Sequence, residues 1–326
     1  MSRIVWPDLP DAVRAEVEAI LGSPVIQHHS HPGGFSPGTA DGVVCVGGRE
    51  AFVKAVHPDL NPESPDIHRS ELRVMRALPP GLPAPALVDG FERDGWVVLV
   101  LEYVHADHPV LPWTFDTIVP VLDAVLRLSD RLTPSPLELR VASGDCAGMW
   151  QGFARCLAEP PGDLDPWVAD RLPALDARAA ASLAAMDGDT LAHMDLRSDN
   201  LLIRRGEGPV ADRVVVVDWP WALRAARWLD ATLLTLELAA QGDTASIEAT
   251  DAALEHIAEH CGVATEPLVD TLVGVSAFFT WQCRTPGPPG LPTVRAYQRS
   301  LADGLTRWLQ GTRLVTWRAE TPGRNR

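Results

Sequence analysis

Four polar residues stand where the chain is otherwise apolar. In the stretch Leu191-Ala-His-Met-Asp-Leu-Arg-Ser-Asp-Asn-Leu-Leu-Ile203, His193, Asp195 and Asn200 interrupt hydrophobic sequence, and Asp218 follows the valines of 214–217. A carboxylate at the end of a buried strand costs stability unless it has a cation to bind. Two carboxylates and an amide brought together suit one task well: holding Mg²⁺ and a phosphate beside a hydroxyl nucleophile. A metal-dependent phosphoesterase could use His193, Asp195 and Asp218 too, so these segments alone leave transfer and hydrolysis both open.

A second pair of residues narrows the choice. Lys54 alternates with Phe52 and Val56 on one face of an apolar run. A lysine there is ordinarily an edge residue whose amine reaches solvent. Downstream, Ser64-Pro65 reads as an N-cap and first helical position. Ile67, Glu71, Val74, Met75 and Leu78 then recur at helical spacing, which sets Glu71 inside an apolar stripe. A glutamate so placed needs an inward partner, and Lys54 is the nearest upstream candidate. A strand lysine held by a helix glutamate is the pairing that fixes a cation on the α- and β-phosphates of a nucleotide.

The elements that must position these residues follow from periodicity. Residues 10–21 predict a short amphipathic helix, then strands at 25–29, 42–46 and 51–56, with Gly47-Gly48 as a hairpin turn. The loop 31–38 contains Gly33, Gly34 and Ser36, and its glycines let backbone N–H groups approach a polyphosphate. Two more strands, 86–91 and 96–101, flank an Arg93-Asp94-Gly95 turn. Residues 1–104 thus read as a lobe of about five antiparallel strands with one main helix, and 105–326 as a larger, mainly helical lobe. Helices are predicted over 115–132, 140–157, 170–186, 246–261, 268–282 and 293–309, and over 231–241 with Asp230 as its cap.

Composition agrees with an α+β, two-lobed enzyme. The chain has 326 residues, 46% hydrophobic and 22% charged, enough for two cores. A formal net charge of −15 argues against nucleic acid or an anionic membrane as partner. Cys45, Cys146, Cys156, Cys261 and Cys283 are odd in number, without a CxxC, which favours reduced thiols in a cytosol. No apolar run approaches the ~20 residues that span a bilayer, so a soluble, cytoplasmic protein is expected.

His193-x-Asp195-x-x-x-x-Asn200 followed by Asp218-Trp219 resembles the catalytic segment of the protein-kinase-like fold. The match is closer to aminoglycoside phosphotransferases and their choline-kinase-like relatives, whose pattern is His-Gly-Asp-Leu-x-x-x-Asn-Leu-Leu. Met194 stands where that family commonly has glycine, and no Ala-Pro-Glu segment follows Asp218, which counts against a protein kinase. The resemblance implies that Asp195 orients or deprotonates an acceptor hydroxyl and that Asn200 and Asp218 coordinate Mg²⁺. It implies that Lys54, held by Glu71, binds the phosphates of ATP. The backbone of Glu102 and Val104 would read adenine, and the loop at Gly33, Gly34 and Ser36 would cover the phosphates. His193 and Asp230 would brace the catalytic loop.

The expected activity is therefore ATP- and Mg²⁺-dependent transfer of a phosphate to a small-molecule hydroxyl, with aminoglycosides or other antibiotics among the acceptors. A nucleotide-binding pseudokinase acting as a scaffold is the alternative, and retention of Lys54, Glu71, Asp195, Asn200 and Asp218 speaks against it. His28, His29 and His31 form the cluster a phosphoesterase would need, although a histidine-rich loop entry is more often simply solvated. The acceptor is expected against the C-terminal helices, where Glu237, Asp243, Glu248, Asp251, Glu255 and Glu259 could attract a polyamine-like molecule or form only a solvated face. Nothing in the sequence fixes the oligomeric state.

Overall fold

A computed structural model describes residues 3–31, 37–288 and 293–317. Gly33, Gly34 and Ser36 lie outside the described residues. In chain order the strands are β1 (Val25–Ser30), β2 (Thr39–Cys45), β3 (Glu50–Val56), β4 (Leu87–Arg93), β5 (Trp96–Leu101), β6 (Ala106–Asp107), β7 (Thr190–Ala192), β8 (Leu201–Arg204), β9 (Val214–Val216) and β10 (Leu223–Ala225). The helices are α1 (Asp11–Leu21), α2 (Ser64–Ala77), α3 (Phe115–Arg131), α4 (Ala142–Trp150), α5 (Gly152–Ala158), α6 (Pro166–Ala169) and α7 (Leu172–Ala185). After β10 come α8 (Leu229–Leu234), α9 (Leu236–Ala239), α10 (Thr244–Cys261), α11 (Glu266–Gln282) and α12 (Val294–Gly311).

By compactness the chain groups into two units. One comprises the residues up to Pro109 together with Ser198–Ala222; the other comprises Val110–Arg197 and the residues from Leu223 onward. The first unit is built on an antiparallel sheet of order β1-β2-β3-β5-β4. Alternation sorts its residues by face. Val43, Cys45, Ala51, Val53, Ala55, Val98 and Val100 form one core with Trp6, Leu9, Val13, Val17 and Leu21. Phe52 and Lys54 therefore take the opposite face, the one on which α2 packs. Turns with positive φ at Gly47 and Gly48, and at Asp94 and Gly95, close the two hairpins. The same unit holds a small β6-β8-β9 sheet, in which Leu201 opposes Val216.

Two expected caps are corrected. The helix at 64 begins at Ser64 itself, and Asn61 Oδ1 accepts from Glu63 N at 2.9 Å and Ser64 N at 3.0 Å, doing the work assigned to Ser64. Asp230 lies inside α8, not before it, and the expected helix over 231–241 divides into α8 and α9.

The second unit is helical around α11, whose Leu268, Val269, Leu272, Val273 and Ala277 are buried. Helix α11 packs on α5, α7 and α12. A small residue permits the closeness of α5 and α11, where a Cβ on Gly152 would strike the Ala277 carbonyl; likewise a Cβ on Gly304 of α12 would strike the Ala240 carbonyl at the end of α9. Among the described residues no helix is long and apolar enough to cross a membrane.

Candidate active site

Within the first unit, β3 and α2 carry Lys54 and Glu71 to each other. Lys54 Nζ donates to Glu71 Oε1 at 2.7 Å and Oε2 at 2.9 Å, and to Asp218 Oδ1 at 2.7 Å. Glu71 is 2% exposed, so the apolar stripe of α2 does bury a carboxylate against this amine. Burial pulls the Lys54 ammonium toward the neutral form. Glu71 and then Asp218 outweigh that effect and hold its pKa above the ordinary lysine value. The amine is thus a fixed positive charge. Burial pushes the Glu71 carboxyl up, against the pull of Lys54. Beside this group, burial and then the Lys54 charge hold His68 down to about 4, so its imidazole is neutral.

Asp218 is set by the strand pair β8-β9. Val217 N donates to the Asn200 carbonyl at 3.0 Å, which aligns the residue before Asp218 with Asn200. Asp218 adopts a left-handed φ of 68°, unusual for a residue with a Cβ. Trp219 beside it is buried, its indole N–H donating to Val216 O at 3.0 Å, and Ser70 Oγ donates to Pro220 O at 2.6 Å. The strained turn is thus fastened on both sides. Asp218 is 45% exposed at its side chain, which leaves carboxylate surface for a ligand. Among the described residues no three His, Cys, Asp or Glu side chains converge into a metal site. One aspartate plus the Asn200 amide is nevertheless a sufficient protein share for Mg²⁺, which takes few protein ligands and completes its shell with water and phosphate oxygens.

The segment expected to read adenine leaves β5. The Glu102 side chain is occupied, accepting from Arg204 Nη2 at 2.8 Å and Ala86 N at 3.1 Å, so only its backbone could serve a base. Between Glu102 and Val104, Tyr103 starts a run of rings that sequence reasoning missed. Its hydroxyl is 2.8 Å from His29 Nε2, and its ring is 5.1 Å from that of His105. The His31 ring lies 5.0 Å from that of His29, tilted to it, and meets the Phe52 ring edge-on at 5.4 Å. Burial, and then His29, hold the His31 imidazole below its ordinary pKa. Gly42 forms the floor of this cluster, because a Cβ there would enter both the His29 and Tyr103 rings. His28 is not part of it; its Nδ1 lies 3.6 Å from Asp41. The three imidazoles thus do not converge as a phosphoesterase site would require.

Asp195 belongs to the second unit, five positions before Asn200 in the chain. Its side chain is 37% exposed, and its carboxylate lies 3.6 Å from Arg197 Nε, a neighbour the motif alone did not single out. The turn that carries it is held from beneath. Asp230 accepts from His193 N at 2.6 Å and Met194 N at 2.9 Å, and His193 Nδ1 is 3.3 Å from Asp195 N. Burial raises the Asp230 carboxyl, while His193 and the two backbone N–H donors pull it down. Met194 sits at φ 69°, the left-handed conformation where glycine carries no Cβ penalty.

The acidic residues of the C-terminal helices have mostly structural work. Glu237 accepts from Trp113 Nε1 at 2.8 Å, and Asp243 caps α10 at Ser246 N. Asp251 is 2% exposed and accepts from Trp308 Nε1, Thr312 Oγ1 and Arg313 N. Glu255 pairs with Arg313. Glu248 and Glu259 remain exposed. Four of the six are thus engaged within the second unit, Asp251 and Glu255 tying α10 to the segment after α12, and two face solvent.

No family model and no curated protein sequence matches the chain. Solved structures match in fold. An amicoumacin kinase in complex with AMP-PNP, Ca²⁺ and Ami aligns with a TM-score of 0.55 and 13% identity, covering 90% of this chain and 94% of that one. A choline/ethanolamine kinase family protein from Mesorhizobium loti aligns with a TM-score of 0.52 and 16% identity, covering 96% of this chain and 95% of that one. The chain therefore has the protein-kinase-like α+β fold of such small-molecule kinases, with an N-terminal antiparallel sheet of five strands followed by a larger helical part.

Proposed function

We propose that the chain is a kinase that moves the γ-phosphate of ATP to a hydroxyl of a small molecule, with Mg²⁺ as cofactor. One observation carries the assignment: a buried lysine locked at 2.7 Å to both a helix glutamate and the strand-end Asp218. A core with no phosphate to bind would gain as much from apolar residues at 54 and 71, without the desolvation of a lysine and a glutamate. Lys54 would take the α- and β-phosphates, and Glu71 keeps its amine aimed. Asn200 and Asp218 would hold the metal, which when bound neutralises charge on the phosphate oxygens.

Asp195 would accept the proton of the acceptor hydroxyl. Its carboxylate surface, and the Asp230 clamp on the backbone at 193–194, support that role. The backbone of Glu102 and Val104 would meet the base. Among the described residues the Val104 backbone makes no hydrogen bond, which supports its use by a ligand. Five cysteines without a disulfide are consistent with a reducing, cytoplasmic compartment.

Antibiotics are the first acceptors to try, on the strength of the fold shared with an amicoumacin kinase. With most of the acidic residues of 232–310 in structural use, a hydroxyl acceptor of low positive charge fits better than a polycationic one. The test is ADP release from MgATP across a panel of aminoglycosides, macrolides, choline, homoserine and sugars, for the unaltered chain and Asp195→Asn. Acceptor-dependent turnover that Asp195→Asn loses, while nucleotide binding persists, is the expected result. Nucleotide binding without any turnover would favour the scaffold alternative, and phosphate transfer chiefly to protein would sink the assignment.

A further inference from the structure

His29 and His31 stand two positions apart on β1 and its continuation, so both rings take one face of the sheet. His31 N donates to the Ala40 carbonyl at 3.0 Å, which carries the pairing with β2 past the end of β1. His29 lies opposite Gly42, and Gly42 opposite Phe52, so the two imidazoles share the face of Phe52 and Lys54. Because Gly42 has no side chain, the Tyr103 ring reaches across the strand to His29; a Cβ there would meet both rings. Tyr103 follows the end of β5, and its contact with His29 joins positions 74 apart in the chain.

The separations are those of rings that share one ion. At a metal–nitrogen bond of about 2.0–2.1 Å, two imidazoles at a tetrahedral angle have centroids about 5 Å apart. The centroids of His29 and His31 are 5.0 Å apart, with the rings tilted by 56°. A phenol on the same ion sets its ring about 5–6 Å from each imidazole. Tyr103 is 5.2 Å from His29 and 6.0 Å from His31. Neighbouring donor atoms of one coordination shell are about 3 Å apart, and His29 Nε2 is 2.8 Å from the Tyr103 hydroxyl. His31 Nε2 is buried and has no hydrogen-bond partner among the described residues, so a third donor is available. An unpaired buried nitrogen costs stability, and an ion bound to it would offset that cost.

Protonation suits the task as well. An imidazole must be neutral to bind a metal, and burial, then His29, hold His31 below its ordinary pKa. Burial and then Glu50 hold the Tyr103 hydroxyl above its own, so the phenol is a neutral oxygen donor and the imidazoles carry most of the affinity. Two imidazole nitrogens with one oxygen suit Zn²⁺ or Ni²⁺ better than Mg²⁺, which takes oxygen ligands. His29 is exposed, which leaves an entry path and room for water to complete the shell. We propose that His29, His31 and Tyr103 form a transition-metal site that ties β1 to the segment leaving β5. It is separate from the Mg²⁺ site assigned to Asn200 and Asp218 and does not depend on the nucleotide assignment.

The experiment is calorimetric titration with Zn²⁺ in excess Mg²⁺, which keeps the carboxylate site occupied, and without nucleotide. The proteins are the unaltered chain, His29→Ala, His31→Ala, Tyr103→Phe and His28→Ala, whose ring lies beside Asp41 and outside the cluster. The unaltered chain should bind one Zn²⁺ with a micromolar or tighter Kd. His29→Ala and His31→Ala should each weaken it by about a hundredfold or more, beyond what an outer-shell change costs. Tyr103→Phe should weaken it less, and His28→Ala should leave it unchanged. Zn²⁺ should also raise the urea midpoint of the unaltered chain and not that of His31→Ala. Circular dichroism in EDTA checks that each variant folds, and His31→Gln replaces His31→Ala if that variant does not. Absence of a micromolar site in the unaltered chain would overturn the proposal. So would a site that survives the His31 substitution, or one that His28→Ala weakens as much as His29→Ala does.

Discussion

Replacing Lys54 with methionine tests the charge logic of the site without a substrate. Methionine keeps most of the volume but leaves two carboxylates with no cation between them. Glu71 is 2% exposed and loses both of its 2.7–2.9 Å contacts to the amine. Asp218, 45% exposed at its side chain, can turn to water and contributes less. Breaking a buried pair by removing one partner costs about 3–5 kcal/mol, and the exposure of Asp218 puts the expectation at about 3 kcal/mol near neutral pH. The variant can relieve this by protonating Glu71, whose carboxyl burial already pushes upward. Its folded state then binds a proton that its unfolded state, with an ordinary glutamate, does not. Stability of the variant relative to the parent should therefore rise as pH falls from neutrality toward the ordinary glutamate range, at up to about 1.4 kcal/mol per pH unit. Urea unfolding of both proteins, without Mg²⁺, at pH about 7.5 and about 5 measures the two deficits. A deficit under about 1 kcal/mol at the higher pH, or one that deepens on acidification, would refute the reasoning.

Other expectations concern neighbouring elements. His68 is held down to about 4 from an ordinary 6.5, so its contribution to stability is complete above pH 6.5 and is lost as pH falls toward 4. That interval is worth roughly 3 kcal/mol. The difference in urea midpoint between the parent and His68→Gln should show this decline, and a flat difference would remove the cause given for the shift. Asp230→Ala leaves the amides of His193 and Met194 without their acceptor, so a loss of about 2–4 kcal/mol is expected from unfolding curves, with turnover falling further than stability accounts for. Gly152→Ala should cost about 1–3 kcal/mol by forcing α5 off the Ala277 carbonyl, and an unchanged melting temperature would show that the two helices separate freely.

Legibility from sequence followed the range of each interaction. Glu71 was readable as inward because it interrupts a helical stripe, and Lys54 was its nearest upstream candidate partner. Their contact with Asp218 spans 164 positions, and no local pattern encodes it. Asp230 stood where a helix cap belongs, yet its bonds run to backbone 36 and 37 positions earlier, because the turn at His193 and Met194 presents two backbone N–H groups to it and α8 has already started. Asp251 shows the same limit: charge on an amphipathic helix reads as solvent-facing until Trp308 and Thr312 arrive to bond it. The long helices α3, α7, α10, α11 and α12 were visible because repeated apolar spacing is local information. The short strands β6 and β10, of two and three residues, were not, since so brief a run carries no period.

The chain leaves one compact unit for the other between Arg197 and Ser198. Lys54, Glu71, Glu102, Val104, Asn200 and Asp218 fall on one side of that division, while Asp195 and helices α10, α11 and α12 fall on the other. Under selection, these sets are free to change at different rates. A lineage built this way would acquire new acceptors by remodelling helices and loops of the second unit, and its members would keep the first unit's charges long after overall sequence likeness had faded.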